Sequence, residues 1–224
     1  MDDTVAGPQD PTRAKLLQAA AEVFAEQGFH AATVREICAR AGANVASINY
    51  HFGDKVELYG QVLREALNRV HERPLPDVLA KLEPPEALRR AIRLILGRVC
   101  NPDRTNLTMR LMLHEMTNPT PGLARVVDEV IGPNYRTLRG IIGRLIELPP
   151  DHDKTRLCAH SVIGQILHYA QSRPVIAQLW PDLEMNQESL DMIAGHIGDF
   201  SLAYLKSSRR GQGKSPARTR KSAS

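Results

Sequence analysis

The chain has 224 residues, 42% of them hydrophobic, and a formal net charge of +4. That length is enough to bury one large core with a small module beside it. No apolar run approaches the ~18–20 residues that a membrane-spanning helix needs, so we expect no membrane partner. The acidic start of the chain lacks a basic region followed by an apolar stretch, so it does not resemble a secretory signal.

The positive charge sits almost entirely at the C-terminus. Residues 206–224 hold seven basic residues and no acidic one, whereas residues 1–205 carry a net charge of −3. Because the body of the chain is slightly acidic, its overall charge is poor evidence for nucleic-acid binding. From residue 207 onward Ser, Gly, Lys and Arg predominate, which predicts a disordered basic tail over 207–224, and we also predict a disordered N-terminus over 1–9.

The hydrophobic pattern predicts an all-α fold, because apolar residues recur at i, i+3 and i+4 and no sustained alternation is present. The first helix begins after Asp10, with Pro11 at its first position, and is expected to end at Gly28. The second begins at Thr33, whose spacing to Glu36 is that of a capping box.

A short third helix follows Asn44 and carries Ile48 and Phe52 on one face. A fourth begins with a capping box at Asp54 and ends before two closely spaced prolines. Further helices are predicted over residues 84–100, 104–117, 121–147, 153–180 and 186–206.

Two of these later segments contain helix breakers, Gly132-Pro133 and Arg173-Pro174, and the second pair should split its segment into a long and a short helix. The chain is therefore predicted to form two helical parts, residues 10–70 and 77–206.

Residues 33–52 have the spacing of a helix-turn-helix. Gly42 allows the backbone to reverse tightly, so that the following short helix can project into a major groove about 12 Å wide. The positions on that helix that do not face the core are small or polar rather than Glu or Lys, which suits close approach to base edges. The alternative is a helical hairpin that packs and does nothing more.

The N-terminal pattern runs Leu16-Leu17-x-x-Ala20-x-x-x-Phe24-x-x-x-Gly28, then Thr33-x-x-x-Ile37 with Ala41-Gly42, then Tyr50-x-Phe52-x-x-Lys55-x-x-Leu58. On this pattern, residues 10–70 resemble the DNA-binding domain of TetR-family transcriptional regulators. The run from Asn44 to Gly53 is similar to a subgroup with a CecR-type C-terminal domain, and so are Met112-x-x-Glu115-Met116-x-x-Pro119 and Gly164-Gln165.

The resemblance implies a set of DNA contacts. Thr33 would cap its helix and touch a phosphate, residues 44–49 would face the bases, and Lys55 would pair with a phosphate. The implied DNA-binding residues are Thr33, Asn44, Val45, Ala46, Ser47, Asn49, Tyr50, His51 and Lys55. Family members often have Lys-Gly and an aromatic residue where this chain has Val45-Ala46 and Asn49, so no base preference is carried over.

The resemblance also implies that the C-terminal bundle forms a homodimer. Two predicted helices have apolar stripes that, doubled by symmetry, would build a four-helix interface. The stripes consist of Ala159, Val162, Ile163, Ile166, Leu167 and Ala170 on one helix and Leu190, Ile193, Ala194, Ile197, Ser201 and Tyr204 on the other. The alternative is that both stripes are core faces within one subunit.

An unidentified small-molecule effector is the further partner that the resemblance implies. We look for its pocket where polar or soft side chains interrupt apolar faces. The candidates are Met109, Met112, Glu115, Met116, Gln165, His168 and Tyr169. Alternatively, the methionines fill core gaps and Glu115 pairs with an arginine.

The sequence contains no motif typical of a catalytic site, a cofactor site or a metal site. There is no nucleophile motif or phosphate loop, so we predict neither a catalytic site nor a cofactor. His160 and His168 are two turns apart and His114-Glu115 does not fit His-Glu-x-x-His, so no metal site is predicted. The three cysteines are far apart and form no Cys-x-x-Cys pair, which favours a reduced cytoplasmic protein. The family resemblance, in which a small apolar residue usually stands at the position of Cys38, implies that Cys38 is a core residue.

The sequence therefore predicts a homodimeric repressor that binds a pseudo-palindromic operator in double-stranded DNA and is released by an effector. Such a protein would be cytoplasmic and associated with the nucleoid when bound to DNA. The alternative function is non-specific nucleic-acid binding through the basic tail.

Overall fold

A computed structural model describes residues 10–70 and 78–212, and for residues 70, 102–106 and 210–212 it describes the backbone alone. The described residues form helices and no strands, which confirms the all-α prediction. The first six helices are α1 (Pro11–Ala31), α2 (Val34–Ala41), α3 (Val45–Phe52), α4 (Lys55–Val70), α5 (Val78–Lys81) and α6 (Pro84–Val99). They are followed by α7 (Pro102–Thr117), α8 (Pro121–Val126), a π-helical turn (Val127–Ile131), α9 (Gly132–Ile146), α10 (Asp153–Gln171), α11 (Arg173–Leu179) and α12 (Gln187–Gln212).

The chain divides into two compact units. The first contains α1 to α4 together with α7, α8 and the π turn, and the second contains the remaining helices from residues 75–100 and 134–224. This division differs from the predicted boundary at residue 77, because residues 101–133 belong to the first unit. These residues belong to the first unit because Leu111, Val126 and Val130 are buried in the same apolar core as residues of α1 and α4.

The start of α1 is as predicted, and its end is not. Asp10 caps the helix, with its Oδ1 accepting a hydrogen bond of 2.9 Å from the backbone N–H of Thr12. Gly28, the predicted end, has φ 76° and ψ 172°, yet helical structure resumes after it as far as Ala31. A side chain there would also clash, because a Cβ would lie 2.9 Å from Nδ1 of His114. Gly28 therefore kinks α1 rather than ending it.

The predicted breaker at Gly132-Pro133 does not interrupt the helical path. The N–H of Gly132 bonds to the carbonyl oxygen of Val127, five residues back, which closes a π turn. A Cβ on Gly132 would lie 2.9 Å from that same oxygen, so the turn requires glycine. The wider turn accommodates the interruption, and α9 continues to Ile146.

Arg173-Pro174 does split its segment, with Ser172 between α10 and α11 as predicted. The last helix differs from the prediction, because α12 continues to Gln212 rather than ending at residue 206. Ser208 is buried, Lys154 donates a hydrogen bond of 3.3 Å to its carbonyl oxygen, and Arg209 pairs with Glu147 at 2.5 Å. The predicted disordered tail over 207–224 is therefore wrong for residues 207–212, which continue α12. The rest of that tail, the predicted disordered segment 1–9 and the prolines at 74 and 76 lie outside the described residues.

The short α5 was not predicted, and it is linked to α9 through Arg144, whose guanidinium bonds to carbonyl oxygens of residues 79, 80 and 82. In the described part of the chain, we find no helix with the length and apolar character needed to cross a bilayer.

A buried hydrogen-bond cluster joins α4 to the segment that the sequence assigned to the other domain. Glu115 is 1% exposed and accepts three hydrogen bonds, from the Tyr59 hydroxyl at 2.7 Å and from the Thr120 N–H and hydroxyl at 3.0 Å each. Tyr59 in turn packs edge-on against Phe24, with ring centroids 4.7 Å apart. Burial and the bond to Glu115 raise the pKa of Tyr59 far above its usual range, so the phenol stays protonated and donates.

Replacing Tyr59 by Phe should destabilise the first unit. The change removes one donor from a buried acceptor, and such a loss costs about 1–3 kcal/mol. The free energy of unfolding, measured by urea denaturation followed by circular dichroism, should fall by that amount. Tyr50→Phe is the matched control, because Tyr50 is 84% exposed. An equal effect of the two changes would contradict a structural role for the Tyr59 hydroxyl.

Candidate nucleic-acid interface

The helix-turn-helix is built by three local features. The hydroxyl of Thr33 caps α2 by accepting a hydrogen bond of 3.2 Å from the N–H of Glu36. Gly42 ends α2 in the left-handed conformation, with φ 64°, which only glycine adopts easily. Asn44 then caps α3, its Oδ1 accepting from the N–H of Ala46 at 3.0 Å. The cap at Thr33 and the turn at Gly42 were predicted from spacing, whereas Asn44 was predicted only to precede α3.

Two apolar side chains orient α3. Ile48 and Phe52, one turn apart, are buried in the core of the first unit. The exposed residues of α3 and its cap are Asn44, Val45, Ala46, Asn49 and Tyr50, which we call the α3 face. Ser47, another predicted DNA contact, is half-buried at its edge. Five predicted DNA-binding residues therefore share one exposed surface.

Cys38 lies beneath the turn, as a core residue. Its thiol is buried and lies 3.5 Å from the carbonyl oxygen of Asn44, in donor geometry. Burial raises the pKa of Cys38, so the thiol stays protonated and is a poor nucleophile.

His51 is positioned differently from the rest of the predicted set. Its side chain is only 10% exposed, and its Nε2 lies 3.7 Å from a carboxylate oxygen of Asp10. The N–H of Thr12, and then His51, lower the pKa of Asp10, so that carboxylate is charged. The His51 side chain therefore contacts the residue that caps α1, and most of its ring is buried within the first unit.

Lys55 also has a partner within the chain. Its ammonium lies 4.5 Å from the centroid of the Phe29 ring, in cation–π geometry. Partial burial lowers the pKa of Lys55. Lys55 is the predicted phosphate contact, and its packing against Phe29 fixes the position of its charge at the start of α4.

Arg35 is a cation that the sequence analysis missed. It is exposed on the first turn of α2, two residues after Thr33, and we find no acidic partner for it among the described residues. Arg40, on the same helix, is instead held by Glu26 in two hydrogen bonds of 3.0 Å. The sequence could have indicated that Arg35 has no partner on its own helix, because no acidic residue stands three or four positions from it.

The α7 part of the predicted effector pocket lies in the first unit. Met109 and Met112 are half-buried, and Met112 packs against the apolar core, whereas Met116 is 55% exposed. Glu115 bonds to Tyr59 and Thr120, so the alternative of an arginine partner is wrong. With both carboxylate oxygens engaged inside the unit, Glu115 is a structural residue.

The α10 part lies in the second unit. Gln165, His168 and Tyr169 line an open cavity of about 340 Å³ together with Gly164, His196 and Ile197. The sequence grouped these three residues with the methionines of α7, but the chain places the two groups in different units.

The predicted dimer stripes lie mostly within the subunit. Most of the apolar α10 residues and Ile193, Ala194, Ile197 and Ser201 of α12 are buried, and α10 and α12 pack against each other and against α6. The alternative of a core face is therefore correct for these residues. What is exposed is another side of α12, carrying Met192, His196, Phe200 and Tyr204, which we call the α12 face.

No group of three or more His, Cys, Asp or Glu side chains placed to hold a metal ion is found within residues 10–70 and 78–212.

Comparisons with known proteins agree on one family. The family described as "Bacterial regulatory proteins, tetR family" matches residues 16–62, and the one described as "HTH-type transcriptional dual regulator CecR, C-terminal domain" matches residues 84–205. The HTH-type transcriptional dual regulator CecR of Shigella flexneri is 30% identical over 187 residues, which cover 77% of this chain and 81% of that protein. The predicted resemblance is confirmed, including its subgroup.

Other similarities are more local or more distant. The HTH-type transcriptional repressor KstR2 of Mycobacterium tuberculosis is 42% identical over 66 residues, 30% of this chain and 33% of that protein. The crystal structure of the transcriptional regulator FadR from Bacillus subtilis with stearoyl-CoA has a TM-score of 0.59 and 19% identity, covering 85% of this chain and 97% of FadR. The latter similarity supports the fold, and all three proteins are described as transcriptional regulators.

Changing Arg35 or Lys55 to Ala should weaken binding to specific and random DNA alike. If each side chain contacts a phosphate, which does not distinguish bases, its removal should decrease the slope of log affinity against log salt by about 1. Fluorescence anisotropy at several salt concentrations measures this. Lys81→Ala, an exposed lysine of the second unit, is the control. Parental affinity in both variants would remove these residues from the interface.

Proposed function

Because the chain belongs to the TetR family of transcriptional regulators and carries a CecR-type C-terminal domain, we propose that it is a homodimeric, ligand-responsive repressor. Its target would be a pseudo-palindromic operator, with α3 of each copy in one major groove. The 42% identity over 66 residues with KstR2, which is named as a repressor, supports the repressor assignment. DNA as the partner places the protein in the cytoplasm, associated with the nucleoid when bound.

The observation that carries this proposal is the α3 face. It is exposed and carries no Asp, Glu, Lys or Arg, while the other side of the helix is anchored by Ile48 and Phe52. An exposed helix surface without charged side chains is unusual for a helix that only faces solvent, and it suits close approach to base edges. Asn can bond adenine, and the methyl groups of Val and Ala can contact thymine.

The α12 face supports the homodimer. Phe200 and Tyr204 are 62% and 56% exposed, one turn apart on a helix that also exposes Met192 and His196. Exposed aromatic residues in a charge-free row are typical of a protein interface. A two-fold contact would place the same face of both copies together, and an operator with half-sites one helical turn apart requires recognition helices about 34–36 Å apart.

An effector would act by binding two dimer states with different affinity. The cavity at Gln165, His168 and Tyr169 is open and is bordered by His196 of the α12 face. A molecule bound there touches the proposed dimer contact, so it would favour the spacing of recognition helices that suits its own binding. That FadR holds stearoyl-CoA supports a small-molecule effector for this fold. The methionines of α7 are not among the residues that line this cavity, and Glu115 is left out because its oxygens are engaged.

Asn49→Ala should relax base preference. If the Asn49 amide bonds a base, its loss costs about 1–3 kcal/mol for the preferred operator and little for other sequences. Selection of bound fragments from random DNA supplies the operator, and competition binding then compares parent and variant. Asn118→Ala serves as control, because Asn118 is exposed on the first unit away from α3. An unchanged preference would show that Asn49 does not contact bases.

Removing residues 213–224 tests the alternative of non-specific binding through the tail. The deletion leaves α12 complete and removes Lys214, Arg218, Arg220 and Lys221. A regulator that binds through α3 should lose affinity by a similar factor on all sequences and keep its preference for the selected operator. Loss of all measurable binding would favour the tail as the binding element.

A further inference from the structure

The first turn of α1 contacts the last two residues of α3. Arg13 is half-buried, and its guanidinium carbon lies 5.2 Å from the centroid of the Phe52 ring, in cation–π geometry. Asp10, which caps α1, has a carboxylate oxygen 3.7 Å from Nε2 of His51. The C-terminal end of α3 is therefore held by two side chains from another helix.

Arg13 is itself fixed by α4. Its Nη2 donates a hydrogen bond of 2.5 Å to Oε1 of Gln61, a half-buried residue in the second turn of α4. The guanidinium group is planar and its nitrogens stand in a fixed arrangement. A hydrogen bond to one nitrogen and a ring contact therefore restrict both its position and its orientation. Arg13 joins α1, α3 and α4 at one point.

The placement of the Phe52 ring matters for the α3 face. Phe52 is 5% exposed and is the last residue of an eight-residue helix, so a shift of its ring would move the whole of α3. Asn49 and Tyr50 stand three and two positions before it, within the same turn. Binding groups have to be held within about 0.5 Å of their productive positions. A contact that fixes the Phe52 ring therefore acts on base recognition without touching DNA.

We propose that Arg13 is a positioning residue for α3. It holds the Phe52 ring in place and thereby sets how the α3 face meets the bases, and it does not bind phosphate. This inference rests on the proposed recognition of bases by α3. It adds a specificity-determining side chain that lies outside the helix-turn-helix and outside the predicted set of DNA contacts.

Two kinds of contact explain why the position suits arginine. The face of an aromatic ring carries partial negative charge, which attracts the guanidinium above Phe52. The same group has further N–H donors at its edge, one of which bonds to Gln61. Methionine at position 13 would fill similar space and lose both contacts. Lysine would keep a cation above the ring.

Arg13→Met should lower the affinity for the selected operator about tenfold, because the base contacts of α3 are then misplaced. Affinity for random DNA and the slope of log affinity against log salt should stay at the parental values, since no phosphate contact is lost. Fluorescence anisotropy of the full-length protein on both duplexes, at several salt concentrations, measures these quantities.

Lys15→Met is the matched control, because it removes the same charge from an exposed position on the same helix. Its ratio of operator affinity to random-DNA affinity should equal that of the parent. An equal loss of preference in Lys15→Met would assign the effect to charge and overturn the inference.

Three further variants test the route through Phe52. Arg13→Lys should recover most of the operator preference, because its ammonium can lie above the ring. Gln61→Ala, which leaves Arg13 in place but removes its acceptor, should weaken the preference in the same direction. In a Phe52→Leu background, which keeps an apolar anchor without a ring, adding Arg13→Met should change the preference about threefold or less.

Two results would overturn the inference while leaving the proposed function in place. One is an unchanged operator preference in Arg13→Met. The other is an equal loss of affinity on operator and random DNA with a salt slope reduced by about 1, which would make Arg13 a phosphate contact. A parent protein that selects no operator from random DNA would instead overturn the proposed function itself, and the role of Arg13 with it.

Discussion

The burial of Ile48 and Phe52 is the interaction on which the nucleic-acid interface depends. A helix of eight residues does not form stably in water, so α3 exists because these two side chains pack into a core supplied by α1 and α4. Being one turn apart, they also fix the rotation of the helix about its axis. The α3 face is exposed as a consequence, and the caps at Thr33 and Asn44 set where each helix begins.

The same core explains why residues 101–133 belong with the N-terminal helices. Glu115 is a buried carboxylate whose donors come from α4 and from the start of α8, and leaving it unpaired would be costly. A second link is the bidentate pair of Arg125 with Glu57, at 2.9 and 3.2 Å, on the first turn of α4. The position of α4, which directly follows α3, therefore depends on α7 and α8.

The protein body has no broad positive field that would attract DNA, so electrostatic attraction to DNA depends on a few individual cationic side chains. The body of the chain is slightly acidic, and Arg40 is neutralised by nearby glutamates. Arg35 is exposed, and Lys55 is held against Phe29 at the start of α4. An interface with few phosphate contacts would release few counterions, and base contacts would then have a larger share in selecting DNA.

The sequence by itself determined the all-α class, the capped helices around residues 33–52 and the family, because caps, glycine turns and helical periodicity are local signals. It also identified Ile48 and Phe52 as the anchors of α3. The tertiary structure alone decided that the apolar stripes of α10 and α12 are core, that Glu115 bonds to Tyr59 and Thr120, and that His51 turns toward Asp10. These outcomes depend on which distant segment of the chain packs against a given helix face. The hydrophobic periodicity of one helix does not distinguish a face that packs within its own subunit from a face that stays exposed.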